Sequence, residues 1–325
     1  MTESTRSRYI RFFGESDDVD VIGGKAVNLA RMASAGLPVP PGFSMTSQAY
    51  RAHLGSSNLE AAIDARLPSM DGGDPAGLAT VCSEIQALIS GSEVPEEVDE
   101  QARAAYRRLS QLEDNDGPIP VSVRSSATSE DSVGASFAGQ HDTFLNVVDE
   151  DHVLGAVLGC WASLWSTHAT MYRNRLGIGH LDVAMPVVVQ KMVNATSSGV
   201  VFTANPVTGN ASELMINACW GLGEAVVSGI VTPDHIVVSK SGLSLVSSQI
   251  SSKEVMIVRD GGQGTMQRPV PPAQANAPAL SEDQLRLICQ TVVELEASYG
   301  EPQDIEFAFE QDRLSLLQTR PITTL

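Results

Sequence analysis

The chain has 325 residues, 42% of them hydrophobic and 5% aromatic, and its 39 Asp and Glu outweigh its 21 Lys and Arg to give a net charge of −18. Such a length suits about two domains with a sizeable core, and so acidic a surface excludes nucleic acid and an anionic membrane as main partners. It also repels a nucleotide at long range, so a nucleotide site here needs Lys and Arg gathered locally. Cys82, Cys160, Cys219 and Cys289 lie far apart with no metal-type spacing. They read as buried, reduced thiols of a cytoplasmic protein. The N-terminal MTESTRSRYIRFFGE has no apolar signal core, and no run approaches the roughly 18 apolar residues of a membrane span.

In chain order, GGKAVNLARMASAGLPVPPGF predicts a helix that stops at Gly36, followed by an extended exit through Pro38, Pro40 and Pro41. Residues 75–113 predict two helices separated by GSEVPEE. Residues 117–147 are loop-rich and end in a strand, HDTFLNVV; one long helix is expected from about Asp149 to Arg175. VAMPVVVQKMV, SGVVFTANPV, ELMINACW and HIVVS read as strands, and PVPPAQANAPA (269–279) as a surface loop. Ser281 and Gln284 form a capping box for a helix ending at Gly300.

The last stretch, DIEFAFEQDRLSLLQTRP (304–321), has two apolar runs around a polar EQDR and reads as a β-hairpin. Ile305, Phe307 and Phe309 point to one face, while Asp304, Glu306 and Glu310 share the other. With a loop at Gln311-Asp312-Arg313, Glu306 pairs across from Gln318, and Asp304 across from Arg320. One reading is a solvated face with a cross-strand ion pair. The other is chemical: a carboxylate and an amide carbonyl offer hard oxygen ligands to Mg²⁺, and a neighbouring Arg grips phosphate bidentately.

Three further stretches suit a nucleotide. Gly23-Gly24-Lys25 opens a helix, where free N–H groups and the dipole favour an anion that Lys25 could reach. It is not a Walker A motif, since Ala26 stands where Ser or Thr is required. In VSVRSSATSEDSVGASFAGQHDTFLNV, Arg124 ends a short strand, and the small residues after it, with Gly134 and Gly139, suit a lid over phosphates anchored by Phe137. In PVVVQKMVNATSSGVVFTANPVTG, a buried strand runs into a connector at Gln190–Val193. Its backbone could meet an adenine edge, with Met192 packed on the ring. A core strand with Met as filler is the plainer alternative.

Together GGKAVNLARM, VRSSATSED…ASFAGQHDTFLNV, QKMVNATSSGVVFTANPVTG, WGLGEAVVSGIVTPDH and DIEFAFE…LLQTRPIT resemble one domain. It is the ATP-binding domain shared by phosphoenolpyruvate synthase, pyruvate phosphate dikinase and rifampin phosphotransferase. The likeness runs from about residue 10 to 323, in family order. It implies an α+β, ATP-grasp fold of two lobes with ATP between them: 1–192 with the lid, and 193–325 with the hairpin. By that resemblance, Lys25 and Arg124 bind the triphosphate. Gly139 and Thr143 belong to the glycine-rich lid, and Gln190, Met192 and Val193 face adenine. Glu306 and Gln318 hold Mg²⁺, Arg320 stabilises the transferring phosphate, and Asp304 falls where the family also has an acid. Lys25, Arg124 and Arg320 are the catalytic expectation. His168 stands where the family usually has Arg and receives no role; Glu224 is left unassigned.

None of His53, His141, His152, His168, His180 or His235 lies in the Gly-Gly-x-x-Ser-His context of the family's phosphohistidine domain. Three functions are therefore expected. In the first, a stand-alone kinase passes phosphate from ATP to a hydroxyl of a small molecule. The acidic surface points to a cationic, aminoglycoside-type antibiotic, and Asp142, His141, Asp234, His235 or Asp304 serves as base. In the second, the chain is the ATP half of a dikinase that phosphorylates a His on a separate domain. The third is a nucleotide-binding module without turnover. A cut-out domain and a natural stand-alone protein both remain open.

Overall fold

The computed structural model describes residues 7–56, 58–70, 75–112, 117–127 and 142–322. The chain forms two compact units. The first takes the residues up to Ala30 together with Pro41–Lys191; the second takes Arg31–Pro40 and everything from Met192 on. The short Pro-rich exit thus groups with the second unit, which a contiguous division at residue 192 does not give.

In the first unit, strands β1 (Ile10–Phe12), β2 (Gly42–Met45), β3 (Val121–Ser125), β4 (Thr143–Val147) and β5 (Val187–Lys191) build an antiparallel sheet in the order β1-β2-β5-β3-β4. Around it lie helices α1 (Val19–Ser34), α2 (Ser47–Leu54), α3 (Leu59–Asp64), α4 (Pro75–Ser90), α5 (Glu96–Gln111), α6 (Glu150–Ser163) and α7 (Thr167–Leu176). Central β5 is apolar on both faces, and Val187, Val188 and Val189 are all fully buried. Trp161 and Trp165 fill the core of the unit. Their indole N–H groups are satisfied by the Met185 carbonyl (2.9 Å) and the Tyr50 hydroxyl (3.1 Å), as buried polar groups require.

The single helix expected over Asp149–Arg175 is two. It breaks after Ser163, and Ser166 caps a new helix by accepting from the Ala169 N–H at 3.2 Å. An N-cap hydroxyl satisfies a donor that the helix itself leaves open, so a serine can start a helix inside an apolar-periodic run. Helix α1 is kinked at Gly23, whose φ of 76° and ψ of 164° are non-helical. Gly36, at φ 76°, closes it as expected.

In the second unit, β6 (Ser197–Phe202), β7 (Glu213–Trp220), β8 (Asp234–Ser239), β9 (Ser244–Gln249), β12 (Gln303–Glu310) and β13 (Arg313–Pro321) form an antiparallel sheet in the order β13-β12-β6-β7-β8-β9. Strands β10 (Val255–Arg259) and β11 (Thr265–Pro269) make a separate pair. Of the three helices, α8 (Glu224–Val227) and α9 (Pro272–Ala275) are single turns, and α10 (Glu282–Tyr299) packs on β12 and β13. The expected loop at 269–279 therefore holds a helical turn, α9. The capping box at Ser281 and Gln284 is formed as read. Ile305, Phe307 and Phe309 are buried together with Val201, Ile216 and Ile236, their partners or neighbours across the ladder. The opposite face is left for polar chemistry. No described helix is long and apolar enough to cross a membrane.

Buried His53 sets an acid limit on the first unit. It lies against Trp161, with ring centroids 4.9 Å apart, and its Nε2 is 3.1 Å from the Ser92 hydroxyl. Burial pulls its pKa down from 6.5 to about 4. The folded state therefore holds His53 neutral, and its contribution is whole above pH 6.5 and lost as pH falls from 6.5 toward 4. Linkage puts the full loss at roughly 3 kcal/mol. Unfolding free energy should fall more steeply over that window in the wild type than in His53→Gln; parallel curves would reject the assignment.

Candidate nucleotide and phosphate site

The hairpin β12–β13 carries the acid, amide and guanidinium on one face. Cα partners are Asp304 with Arg320 and Glu306 with Gln318, the pairing read from the sequence. The turn differs. Arg313 pairs with Glu310, so the turn is the two residues Gln311-Asp312, with Gln311 at φ 56°. The register then shifts between Glu306 and Phe307, because Phe307 pairs with Leu316 and Glu306 with Gln318. Leu317 is the extra residue of this β-bulge, and it restores the alignment that a three-residue loop would have produced. Bulges re-aim side chains in this way near functional sites.

Arg320 Nε and Nη2 both reach Asp304 Oδ2, each at 2.7 Å. Asp304 is nearly buried, while Arg320 is close to half exposed. Burial pushes the Asp304 carboxyl above its usual range; the Arg320 guanidinium pulls it back and Glu306 adds to the rise. Asp304 thus orients the guanidinium and is committed to it. Glu306 is half-buried beside this pair. Among the described residues no group of three or more His, Cys, Asp or Glu could hold a metal. One carboxylate and one amide fit Mg²⁺ nevertheless, since that ion keeps several waters and takes phosphate oxygens as ligands.

In the first unit, Lys25 and Arg124 come into one neighbourhood. Arg124 is the Cα partner of Thr143 at the start of β4. The buried Cys160 thiol lies under this edge, 3.9 Å from the Val123 carbonyl and 3.7 Å from that of Asp142. Burial and the Asp142 charge push the thiol up, while the Lys25 ammonium pulls it down. Asp142 and Thr143 thus border Arg124, and Lys25 lies in the turn whose Ala26 N–H reaches Ser126, two residues beyond Arg124. Gly139, with Gly134, Phe137 and His141, lies outside the described residues.

Gln190 sits in β5 between Gly42 and Ser122, and its carbonyl accepts from the Ser122 hydroxyl at 3.5 Å. Met192 and Val193 follow the strand and are both nearly buried. Gln190 itself is thus held in the sheet, and Met192 and Val193, beyond Lys191, make the connector.

Two of the candidate bases are committed elsewhere. Asp234 is fully buried: its Oδ1 accepts from Lys253 Nζ and from the Ser251 N–H (3.0 Å), and its Oδ2 from the Ala279 N–H (2.7 Å). It is a structural ion pair that ties the segment after β9 to the sheet. Asp304 is held by Arg320. His235 lies on the Glu306 face, along the ladder Glu306–Val200–Asn217–His235, with Nδ1 3.0 Å from Asn217 Oδ1. Glu224 accepts from the Thr265 hydroxyl at 2.9 Å, so it helps dock β11. His168 is exposed at the start of α7.

Residues 19–325 match the family model described as pyruvate phosphate dikinase, AMP/ATP-binding domain. The chain belongs to that family, and with membership goes the ATP-grasp fold class, whose α+β make-up both units display. The chain is 41% identical to the probable phosphoenolpyruvate synthase of Pyrococcus horikoshii, over 98% of its own length and 44% of that protein. It is 41% identical to the phosphoenolpyruvate synthase of Pyrococcus furiosus over the same shares. With the probable phosphoenolpyruvate synthase of Methanocaldococcus jannaschii it shares 40% identity over its whole length and 27% of that protein. The chain thus spans less than half the length of these relatives. Among solved structures, D-alanine–D-alanine ligase from Bacillus anthracis aligns over 92% of this chain and 65% of that one, at 9% identity and a TM-score of 0.31.

Proposed function

We propose that the chain is the ATP-binding half of a phosphoenolpyruvate synthase-type dikinase, which phosphorylates a histidine on a separate domain. The observation that carries this reading is the hairpin face, where Asp304 orients Arg320 and Glu306 stands opposite Gln318. Lys25 and Arg124 bind the triphosphate, Thr143 and Gly139 belong to the lid over it, and Gln190, Met192 and Val193 face adenine. Glu306 and Gln318 would hold Mg²⁺, which when bound neutralises phosphate charge. Phosphoryl transfer needs positioning and charge stabilisation more than covalent chemistry. Lys25 and Arg124 from the first unit, and Arg320 from the second, would supply cations for that purpose. A histidine acceptor attacks through a neutral imidazole nitrogen, so it asks no general base of this chain. That accords with the commitment of Asp234 and Asp304 to Lys253 and Arg320. Four buried, unbridged thiols support a cytoplasmic setting.

The relatives favour this reading over a stand-alone kinase for a cationic antibiotic, which rests on the net charge of −18 and on the resemblance to rifampin phosphotransferase. Product analysis separates them. Incubation with MgATP and the phosphohistidine domain of a relative should give AMP, an acid-labile phosphohistidine and one orthophosphate, the third phosphoryl group passing to water. ADP, with a stable phosphoester on a hydroxylated cationic compound and none on the domain, would reverse the choice. Bound but unconsumed ATP in every mixture would leave a binding module.

A further inference from the structure

Ser126 lies two residues beyond Arg124 and is fully buried. Its hydroxyl touches α1 at two points: it donates to the Ile22 carbonyl at 3.1 Å and accepts from the Ala26 N–H at 3.3 Å. Its own N–H donates to the Pro186 carbonyl at 2.9 Å, which fixes it to the strand side. Between the two points on α1 stands Gly23, at φ 76°. A Cβ on Gly23 would lie 1.7 Å from the Ser126 carbonyl oxygen and 2.5 Å from its hydroxyl. The kink in α1 is therefore shaped around Ser126, and no side chain can stand at that point. Ala26 N–H belongs to the first turn after the kink, where donors have no partner within the helix. Ser126 thus acts as a cap supplied from another element. The turn it caps carries Lys25, and the strand end it belongs to carries Arg124.

We propose that Ser126 is a positioning residue for phosphate binding: it sets Lys25 against Arg124 so that both cations meet the same triphosphate. The proposal rests on the reading of Lys25 and Arg124 as triphosphate ligands. A hydroxyl is needed because one group must donate to Ile22 and accept from Ala26 at once. Alanine removes both contacts: it leaves the buried Ala26 N–H short of a partner and the Ile22 carbonyl with only the Ser44 hydroxyl, at 3.4 Å.

The test is a double-mutant cycle on the full chain, with MgATP and adenosine titrated separately into wild type, Ser126→Ala, Lys25→Ala and the double variant. Ser126→Ala should weaken MgATP binding roughly tenfold, the scale of losing a buried hydrogen bond. Adenosine affinity should be unchanged, because adenosine carries no phosphate for Lys25 to meet. In the Lys25→Ala background, Ser126→Ala should cost nothing further, since it acts through Lys25. Equal weakening of both ligands would make Ser126 a general structural residue, and additive losses would make it independent of Lys25. Unchanged MgATP affinity in Ser126→Ala, with a loss in Lys25→Ala, would sink this proposal alone. Wild-type affinity in Lys25→Ala would instead sink the phosphate assignment beneath it. If Ser126→Ala does not fold, Ser126→Cys takes its place, with nearly the same volume and a weaker donor.

Discussion

Glu306→Ala should abolish Mg²⁺-dependent nucleotide binding. Glu306 is the anionic member of the Glu306–Gln318 pair, and Mg²⁺ demands hard oxygen ligands in near-octahedral geometry. Its nearly buried neighbour Asp304 cannot substitute, because its Oδ2 is already shared by two N–H groups of Arg320 at 2.7 Å. Outer-shell partners of a metal are worth roughly 10- to 100-fold in affinity, so loss of a direct ligand should exceed that. Gln318→Ala should cost less, since water replaces a neutral carbonyl more readily than a carboxylate. Nucleotide titrations with Mg²⁺ and with a chelator check both. Should Glu306→Ala bind MgATP as tightly as wild type, the hairpin is not the metal floor.

Arg320→Lys should fail to support turnover although it keeps the charge. The Arg320 fork is set by Asp304, which takes Nε and Nη2 on one carboxylate oxygen. The planar guanidinium is thus held through two N–H groups by a nearly buried carboxylate. An ammonium is a point charge; it can pair with Asp304 or meet a phosphoryl oxygen, but it cannot reproduce the fork. Losing one preorganised donor to a transition state costs roughly 100- to 1000-fold in kcat, and KM for ATP should rise much less. ATP consumption at saturating ATP, with the acceptor domain present, measures kcat, and its dependence on ATP concentration gives KM. A normal kcat with a raised KM would make Arg320 a ground-state binder.

Much of the hairpin was legible in the sequence, because strand side chains alternate with period two. That rule alone sorts Ile305, Phe307 and Phe309 from Asp304 and Glu306. The turn was not read correctly, and the error cancelled. A three-residue loop and a two-residue turn with a bulge at Leu317 give the same partners at Glu306 and Asp304. Helix ends at Gly36 and Ser281 were legible for an equally local reason, the chemistry of caps. The break at Ser166 was missed because apolar spacing continues through it.

Edge strand β9 was missed as well. Every residue from Ser244 to Gln249 is exposed, so no apolar alternation marks it. Residue type, spacing and face were thus set by the chain itself: Lys25 at a helix start, Arg124 at a strand end, acid opposite Arg on one hairpin. Tertiary structure alone decided which groups were already spent. Asp234 looked like a base until Lys253, 19 residues away, closed on it in a fully buried pair. Ser126 looked like one small residue among many until Gly23, about 100 residues earlier, folded onto it. Periodicity and capping act over a few residues and can be read along the chain. A buried charge or hydroxyl takes its partner from whatever packing brings within about 3 Å, and no local pattern encodes that choice.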